Sequence, residues 1–139
     1  EGYKMTLISY SKIGSTPFQK LLGHNTRIME KWNSLSEELE KDGFLSAMLK
    51  EQVRRTLAQE NGCEYCKAKG KPDNKYYDEK ITVSVGFAQA FLTYKGKTPS
   101  AIVNILKDCL CDEEISELIA FICFTTASQY FGALMQLEA

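Results

Sequence analysis

The segment FLSAMLKEQVRRTLAQENGCEYC, residues 44–66, decides the fold of this chain. Its apolar side chains recur every four residues, an interval that places them on one face of an α-helix. We therefore expect an amphipathic helix whose apolar face lies in the core. The Asn61-Gly62 pair predicts the end of this helix, because both residues accept the left-handed backbone at helix C-termini. The residues of the apolar face are Leu45, Leu49, Val53 and Leu57.

Helical patterns also cover the rest of the chain. The β-branched run ITVSV, residues 81–85, leaves a strand as the alternative to a helix in one place. The sequence predicts one all-α domain of about six or seven helices over residues 16–139, after an N-terminal extension of residues 1–15. Capping residues and prolines predict the helix starts, which lie at Thr16-Pro17, at Asn25 or Thr26, at Asp78, at Pro99 and at Asp112.

The composition is typical of a single globular domain. The chain has 139 residues, a net charge of -1 and 44% hydrophobic residues, so it can bury a sizeable core and has no electrostatic case for nucleic acid. No apolar run reaches transmembrane length, and the N-terminus lacks the basic and apolar blocks of a secretory signal. Five unevenly spaced cysteines make a poor disulfide framework. We expect a cytoplasmic protein with no nucleic-acid or membrane partner, no bound metal and no cofactor.

Cys63 and Cys66 stand three residues apart, directly after the predicted helix end. On a helix, residues at this spacing share one face, so the two thiols can form a disulfide or act together. The start of a helix also stabilises a thiolate, the form of cysteine that attacks peroxides and disulfides. Redox chemistry is therefore the favoured interpretation, and a surface pair without function is one alternative.

Zinc binding is the other alternative, and a structural zinc site needs two further ligands. Cys109 and Cys111 are candidates, but residues two apart on a helix point in different directions unless the helix ends there. The spacing therefore favours redox chemistry over zinc. The fifth cysteine, Cys123, lies in the apolar run FICF and is expected to be buried.

Two other polar residues are candidates for a site. Glu51 lies off the apolar face and has Arg54 and Arg55 three and four residues on, which predicts an ion pair. His24 is the only histidine of the chain, and its GHNT context favours a capping or interface role over catalysis. A mechanism that needs an imidazole has to recruit His24 from another helix or from another subunit.

The segment EQVRRTLAQENGCEYC, residues 51–66, resembles the core signature of the alkylhydroperoxidase D-like and carboxymuconolactone decarboxylase family. That signature is a glutamate, eleven residues and then Cys-x-Tyr-Cys. Residues 17–35 resemble the first helices of the family, with Thr26 where a His-Asn-Pro run has its proline, and residues 112–135 resemble its closing helix. The resemblance implies an all-helical fold over about residues 16–137 and a homo-oligomer, as a dimer, trimer or hexamer.

The resemblance also implies a role for each residue of the signature. Cys66 is implied to be the peroxidatic cysteine, which attacks the peroxide as a thiolate, and Cys63 the resolving cysteine that closes the disulfide. Glu51 is implied to act in a proton relay. The implied partners are a peroxide or small disulfide as substrate and a dithiol protein or small thiol as reductant.

Gly70 occupies the position of the relay histidine in the family. Because the chain is expected to turn back before the cysteine pair, position 70 is expected to lie opposite Glu51, where glycine has no side chain to bridge the gap. Tyr65, which stands where other members have a histidine, and His24 are the supporting candidates. Two alternatives to peroxide reduction stay open: a non-peroxidase redox sensor or disulfide exchanger, and a non-catalytic oligomeric member of the family.

Overall fold

The computed structural model describes residues 5–139 as an all-α bundle, which confirms the predicted fold class. Over this part of the chain there are seven α-helices, one 3-10 turn and no strand. The elements are α1 (Pro17–Leu22), α2 (Thr26–Glu40), α3 (Ala47–Ala58), α4 (Glu64–Lys67), a 3-10 turn (Asn74–Tyr76), α5 (Glu79–Tyr94), α6 (Ser100–Cys109) and α7 (Asp112–Leu134).

Short polar side chains start three of the helices, and the sequence predicts two of these starts, at Thr16 and Asp78, but not the one at Ser46. Thr16, Ser46 and Asp78 each accept a hydrogen bond from the backbone N–H three residues on, at the starts of α1, α3 and α5. These bonds satisfy N–H groups that have no partner inside the helix. The run ITVSV is helical inside α5, so the strand alternative is wrong. Burial of Ile81 and Val85 against the core outweighs the weak helix propensity of β-branched residues.

The core lies between α3, α5, α6 and α7. The apolar face predicted for α3 is buried along its whole length, at 0–2% exposure. Side chains of α5 and α7 complete the cluster, so the segment that decides the fold packs at its centre. The core residues are Leu45, Leu49, Val53, Leu57, Ile81, Val85, Ala88, Leu106, Leu110, Leu118, Phe121 and Ile122.

A buried ion pair fixes the loop between α2 and α3 against α7. The side chain of Lys50 is 1% exposed, and its Nζ lies 2.8 Å from Oε2 of Glu117. Lys50 also donates to the carbonyl of Lys41, while the carboxylate of Glu117 accepts from the backbone N–H groups of Phe44 and Leu45. Burial raises the pKa of Glu117, but hydrogen bonds from Lys50 and the two amides and the Lys50 charge lower it more, so its pKa lies below the usual value.

α7 has two different sides. By length and composition alone it is long and apolar enough to cross a membrane, with 33% of its most apolar window buried in the fold. Core helices pass the same criterion, and α7 contributes Leu118, Phe121 and Ile122 to the core. Its outer side exposes Ile119, Tyr130 and other apolar residues.

The described part of the predicted N-terminal extension, residues 5–15, has no helix. It lies against α1 and against the residue that follows α7. Leu7 N–H donates to the carbonyl of Met135 after α7, and Ser11 N–H donates to the carbonyl of Lys20 in α1. Residues 1–4 of that extension lie outside the described residues. Leu7 and Ser11 therefore connect the described part of the extension to the helical domain.

Candidate functional site

The chain reverses direction between α3 and the segment with the two cysteines, as the Asn61-Gly62 pair predicts. Gly62 has a φ of 85°, which only glycine adopts without cost. Side chains of α3 then hold the returning chain: Gln59 donates to the carbonyl of Gly70, Arg55 donates to the carbonyl of Lys71, and Gln52 accepts from the N–H of Asp73. The hairpin therefore places residues 70–73 along the polar side of α3. The contact of Gly70 is with Gln59, about two turns of α3 after Glu51, rather than with Glu51 as the sequence analysis expects.

Cys63 and Cys66 form a disulfide, with 5.2 Å between their Cα atoms. Cys63 caps the start of α4, and its Sγ accepts a hydrogen bond from the Cys66 N–H at 3.2 Å. α4 has four residues, so the stabilisation expected from a helix dipole is small and falls on Cys63. Cys63 is completely buried, whereas Cys66 is half-buried. The pair is therefore compatible with redox chemistry and presents one sulfur, that of Cys66, to its surroundings.

The other three cysteines are free, and they do not join the pair. α6 ends at Cys109 and Cys111 precedes α7, so the helix does end between them. Within residues 5–139, however, no group of three or more His, Cys, Asp or Glu side chains is placed to hold a metal ion. Burial raises the pKa of the Cys109 thiol. Cys123 is exposed on α7, so the prediction that it is buried is wrong, because the FICF run lies half on the core side and half on the outer side of the helix.

Gly132 of α7 lies close to the disulfide, a contact that the sequence did not reveal. A Cβ at this position would lie 2.5 Å from Sγ of Cys63 and 3.6 Å from Sγ of Cys66. A glycine is needed here because carbon and sulfur atoms do not approach that closely. The backbone of α7 thus covers the buried side of the disulfide.

Gln129, one turn before Gly132, ties α7 to the hairpin. Its side chain is 2% exposed. Its Oε1 accepts from Nδ2 of Asn61 at 2.8 Å, and its Nε2 donates to the carbonyl of Arg54 at 3.2 Å. The buried amide of Asn61 therefore anchors the turn that leads from α3 to Cys63.

A cavity of about 220 Å³ opens beside Cys66 between α1, α2, α4 and α7. Its walls combine five aromatic side chains with polar ones such as Asn33, Ser36 and Gln129, and the indole N–H of Trp32 donates to Ser128 Oγ. Apolar surface with fixed polar groups is typical of sites for small organic molecules, and this cavity is smaller than the usual range of about 300–1,000 Å³ for such sites. The aromatic lining residues are Phe18, Trp32, Tyr65, Phe121 and Phe124.

Glu51 forms the predicted ion pair, and the arginines occupy both of its oxygens. Arg54 binds the carboxylate through Nε and Nη2 at 2.9 and 3.0 Å, and Arg55 adds Nε at 2.8 Å. Burial raises the pKa of Glu51, but hydrogen bonds from the two arginines and their charges lower it more, so its pKa lies below the usual value. The side chain is about one-third exposed. Glu51 is therefore an anion at neutral pH and a weak base.

The supporting candidates lie in different places. Tyr65 lines the cavity next to Cys66. His24 is exposed, its Nε2 lies 2.6 Å from the carbonyl of Ser9, and it does not line the cavity. Gly70 is exposed with a φ of 96° and no neighbour near its Cα. The structure therefore brings together Cys63, Cys66 and Tyr65, and it links Glu51 to them through Arg54, which donates to the carbonyl of Cys66 at 3.0 Å.

Comparison with known proteins gives no further guide to this site. No family model and no curated protein sequence matches the chain. A functional assignment therefore depends on the geometry of the cysteine pair and of the cavity beside it.

Proposed function

We propose that this protein is a thiol-dependent oxidoreductase of the alkylhydroperoxidase D-like kind, which reduces a peroxide with Cys66 and Cys63. The observation that supports the proposal is the asymmetry of the pair. Cys66 borders a cavity lined by aromatic and polar side chains, while Cys63 is buried behind it within disulfide distance. Sγ of Cys66 is accessible to a substrate, whereas Sγ of Cys63 can react only with Cys66.

The proposed reaction has two steps on the protein. The Cys66 thiolate attacks one peroxide oxygen, the O–O bond breaks, and the alkoxide takes a proton and leaves as an alcohol. Cys66 is then a sulfenic acid. The thiolate of Cys63 attacks that sulfur and expels hydroxide, which leaves as water, and the disulfide present in the structure is the product.

A dithiol reductant completes the cycle by thiol–disulfide exchange. Its first thiolate is expected to attack Cys66, because Cys63 is buried and covered by α7. The Cys63 thiolate that leaves accepts the hydrogen bond from the Cys66 N–H. The second thiol of the reductant then resolves the mixed disulfide, and both cysteines return to the reduced form.

The test compares Cys66→Ser and Cys63→Ser with the wild-type protein. With an organic hydroperoxide and a dithiol reductant, Cys66→Ser is expected to lose turnover, and Cys63→Ser to form a sulfenic acid that a trapping reagent and mass spectrometry detect. Cys123→Ser removes an exposed free thiol on α7 and is the matched control. Equal peroxide consumption by Cys66→Ser and Cys123→Ser would sink the proposal.

Disulfide exchange without peroxide reduction is the second candidate, and one observation favours it. Both oxygens of Glu51 are bound by arginines, and the only histidine of the chain is bonded elsewhere. A reversible Cys63–Cys66 disulfide that oxidises and reduces with small thiols, together with negligible peroxide turnover, would support this candidate. Thiols that do not form a disulfide under any oxidant would instead support a non-catalytic member of the family.

The proposed family also implies a homo-oligomer, and the uneven spacing of the five cysteines supports a cytoplasmic location. Exposed apolar residues on the outer side of α7, such as Ile119 and Tyr130, support a subunit interface there, because large apolar side chains are commonly buried in homo-oligomers. Light scattering on the purified protein measures the mass, and a monomer at micromolar concentration would contradict this part of the proposal.

A further inference from the structure

Arg54 is the charged residue that the structure places against the reactive cysteine. Its Nη1 donates to the carbonyl of Cys66 at 3.0 Å, and its other two donors hold Glu51. The side chain is 17% exposed, and both Arg54 and Cys66 line the aromatic cavity. A guanidinium cannot lose its proton in a protein, so this position keeps a positive charge at every working pH.

The other charged groups around Cys66 are more exposed. Lys69 and Glu40 line the same cavity from the segment after α4 and from the end of α2. Lys67 and Glu64 are exposed on α4 itself and carry opposite charges. The α7 wall presents uncharged Ser128 and Gln129. Solvent screens exposed charges strongly and part-buried charges less, so the charge of Arg54 is screened less than those of Lys69, Glu40, Lys67 and Glu64.

In the reduced protein, Cys66 needs a group that stabilises its thiolate, and Arg54 is positioned to be that group. At the start of α4, the backbone N–H of Cys66 donates to Sγ of Cys63 and not to Sγ of Cys66. Gly70 stands at the position where the family has its relay histidine. An unassisted thiol with an ordinary pKa is mostly protonated at neutral pH and therefore a poor nucleophile. A cation within about 4–6 Å favours the charged form of a thiol.

We propose that Arg54 activates Cys66 by stabilising its thiolate, and that Glu51 acts as a positioning residue that orients Arg54 and partly offsets its charge. The proposal rests on the redox role of Cys66 proposed above. When the thiol ionises, its proton goes to water, and the negative sulfur faces the guanidinium. Glu51 then needs no proton transfer of its own, which agrees with a carboxylate whose two oxygens are occupied by arginines.

The test measures the ionisation of Cys66 directly. In reduced Cys63→Ser protein, the rate of iodoacetamide alkylation at Cys66 is followed from pH 5 to pH 10 by peptide mass spectrometry. Arg54→Gln is expected to raise the Cys66 pKa by about one unit, and Arg54→Lys, which keeps the charge, to leave it within about 0.3 unit. Glu51→Gln removes the opposing charge and is expected to lower the Cys66 pKa.

Arg55→Gln is the matched control, because Arg55 binds the same carboxylate but donates to the carbonyl of Lys71 instead of Cys66. Its effect on the Cys66 pKa is expected to be less than half that of Arg54→Gln. An unchanged Cys66 pKa in folded Arg54→Gln overturns the proposal, and so does an equal rise in Arg54→Lys and Arg54→Gln. Should Arg54→Gln fail to fold, Glu51→Gln decides: an unchanged or higher Cys66 pKa overturns the proposal.

These measurements separate the two proposals. Alkylation reports the thiolate whether or not the protein turns over peroxide. Loss of turnover in Glu51→Gln at an unchanged Cys66 pKa would assign Glu51 to a proton relay and overturn the positioning role. A low Cys66 pKa that depends on Arg54, with no peroxide turnover, would retain the activation by Arg54 and reject peroxide reduction.

Discussion

Substitution of Gly132 by alanine tests how tightly α7 covers the disulfide. The new methyl group would lie 2.5 Å from Sγ of Cys63, against an ordinary contact distance of about 3.7 Å, so one of the two has to move by about 1.2 Å. Overpacking of this kind costs about 1–3 kcal/mol. Alanine in a helix also gains about 1 kcal/mol over glycine. The net loss of unfolding free energy in the oxidised protein is expected to be about 0–2 kcal/mol.

The same substitution is expected to change the redox equilibrium. A reduced Cys63 side chain can rotate away from the methyl group, whereas the disulfide holds its sulfur in place. The disulfide is therefore destabilised relative to the dithiol by up to the overpacking cost of about 1–3 kcal/mol, which corresponds to a rise in reduction potential of roughly 20–65 mV. Titration against glutathione buffers, with the Cys63–Cys66 disulfide measured by mass spectrometry, gives this number.

Gly86→Ala is the matched control for this substitution. Gly86 also lies inside a helix, α5, but a Cβ there would meet nothing within 4 Å. Gly86→Ala is expected to stabilise the protein by about 0.5–1 kcal/mol and to leave the reduction potential unchanged. If Gly132→Ala has the same stability and potential as Gly86→Ala, the close contact between α7 and the disulfide is refuted.

Three further predictions concern the surroundings of the site. Gln129→Ala leaves the buried amide of Asn61 without its acceptor and is expected to cost about 1–3 kcal/mol in urea unfolding; a cost near zero would contradict this. Glu117→Gln leaves the Lys50 charge buried and unpaired, with an expected cost of about 3 kcal/mol at pH 7. Because the pKa of Glu117 is lowered in the folded protein, the Glu117 carboxylate stabilises the fold above pH 4.5, and this stabilisation is lost as the pH falls further. The unfolding free energy of Glu117→Gln should therefore fall less steeply with acid than that of the wild-type protein. Gly70→His puts a side chain at a φ of 96°, so it is expected to lower the unfolding free energy by about 1–2 kcal/mol. Its peroxide turnover is expected to equal that of Gly70→Ala, and a clear gain would show that a relay can be restored there.

Local sequence patterns predicted most of the fold. The four-residue repeat of α3 and the start of α5 at Asp78 follow from spacing and capping over a few residues, and the structure confirms them. α3 itself ends at Ala58, three residues before the predicted end, and the Asn61-Gly62 pair lies in the turn that follows. Cys123 was misplaced because an apolar run on a long helix does not say which residues face the core. α7 has apolar residues on both sides, so its sequence has too little polar contrast to show which side is buried.

The parts of the site that the sequence missed are contacts between distant segments. Gln129 and Gly132 lie 66 or more positions after Cys63, and neither is unusual in an apolar helix. Their roles exist only because α7 packs across the hairpin. Arg54 was predicted correctly as a partner of Glu51, but its third donor reaches Cys66 twelve residues on because the chain folds back. A pattern of i and i+3 or i+4 residues describes the first contact and cannot describe the second.

The two sides of α3 explain why this short cysteine segment is well fixed despite its small helix. The apolar side anchors α3 in the core, and the polar side holds the cysteine segment through Arg54, Arg55 and Gln59. α7 covers the opposite side of the disulfide, so both sulfurs are positioned by elements that are themselves buried. Only the cavity side of Cys66 is left for a reactant. This positioning is compatible with redox chemistry at the pair.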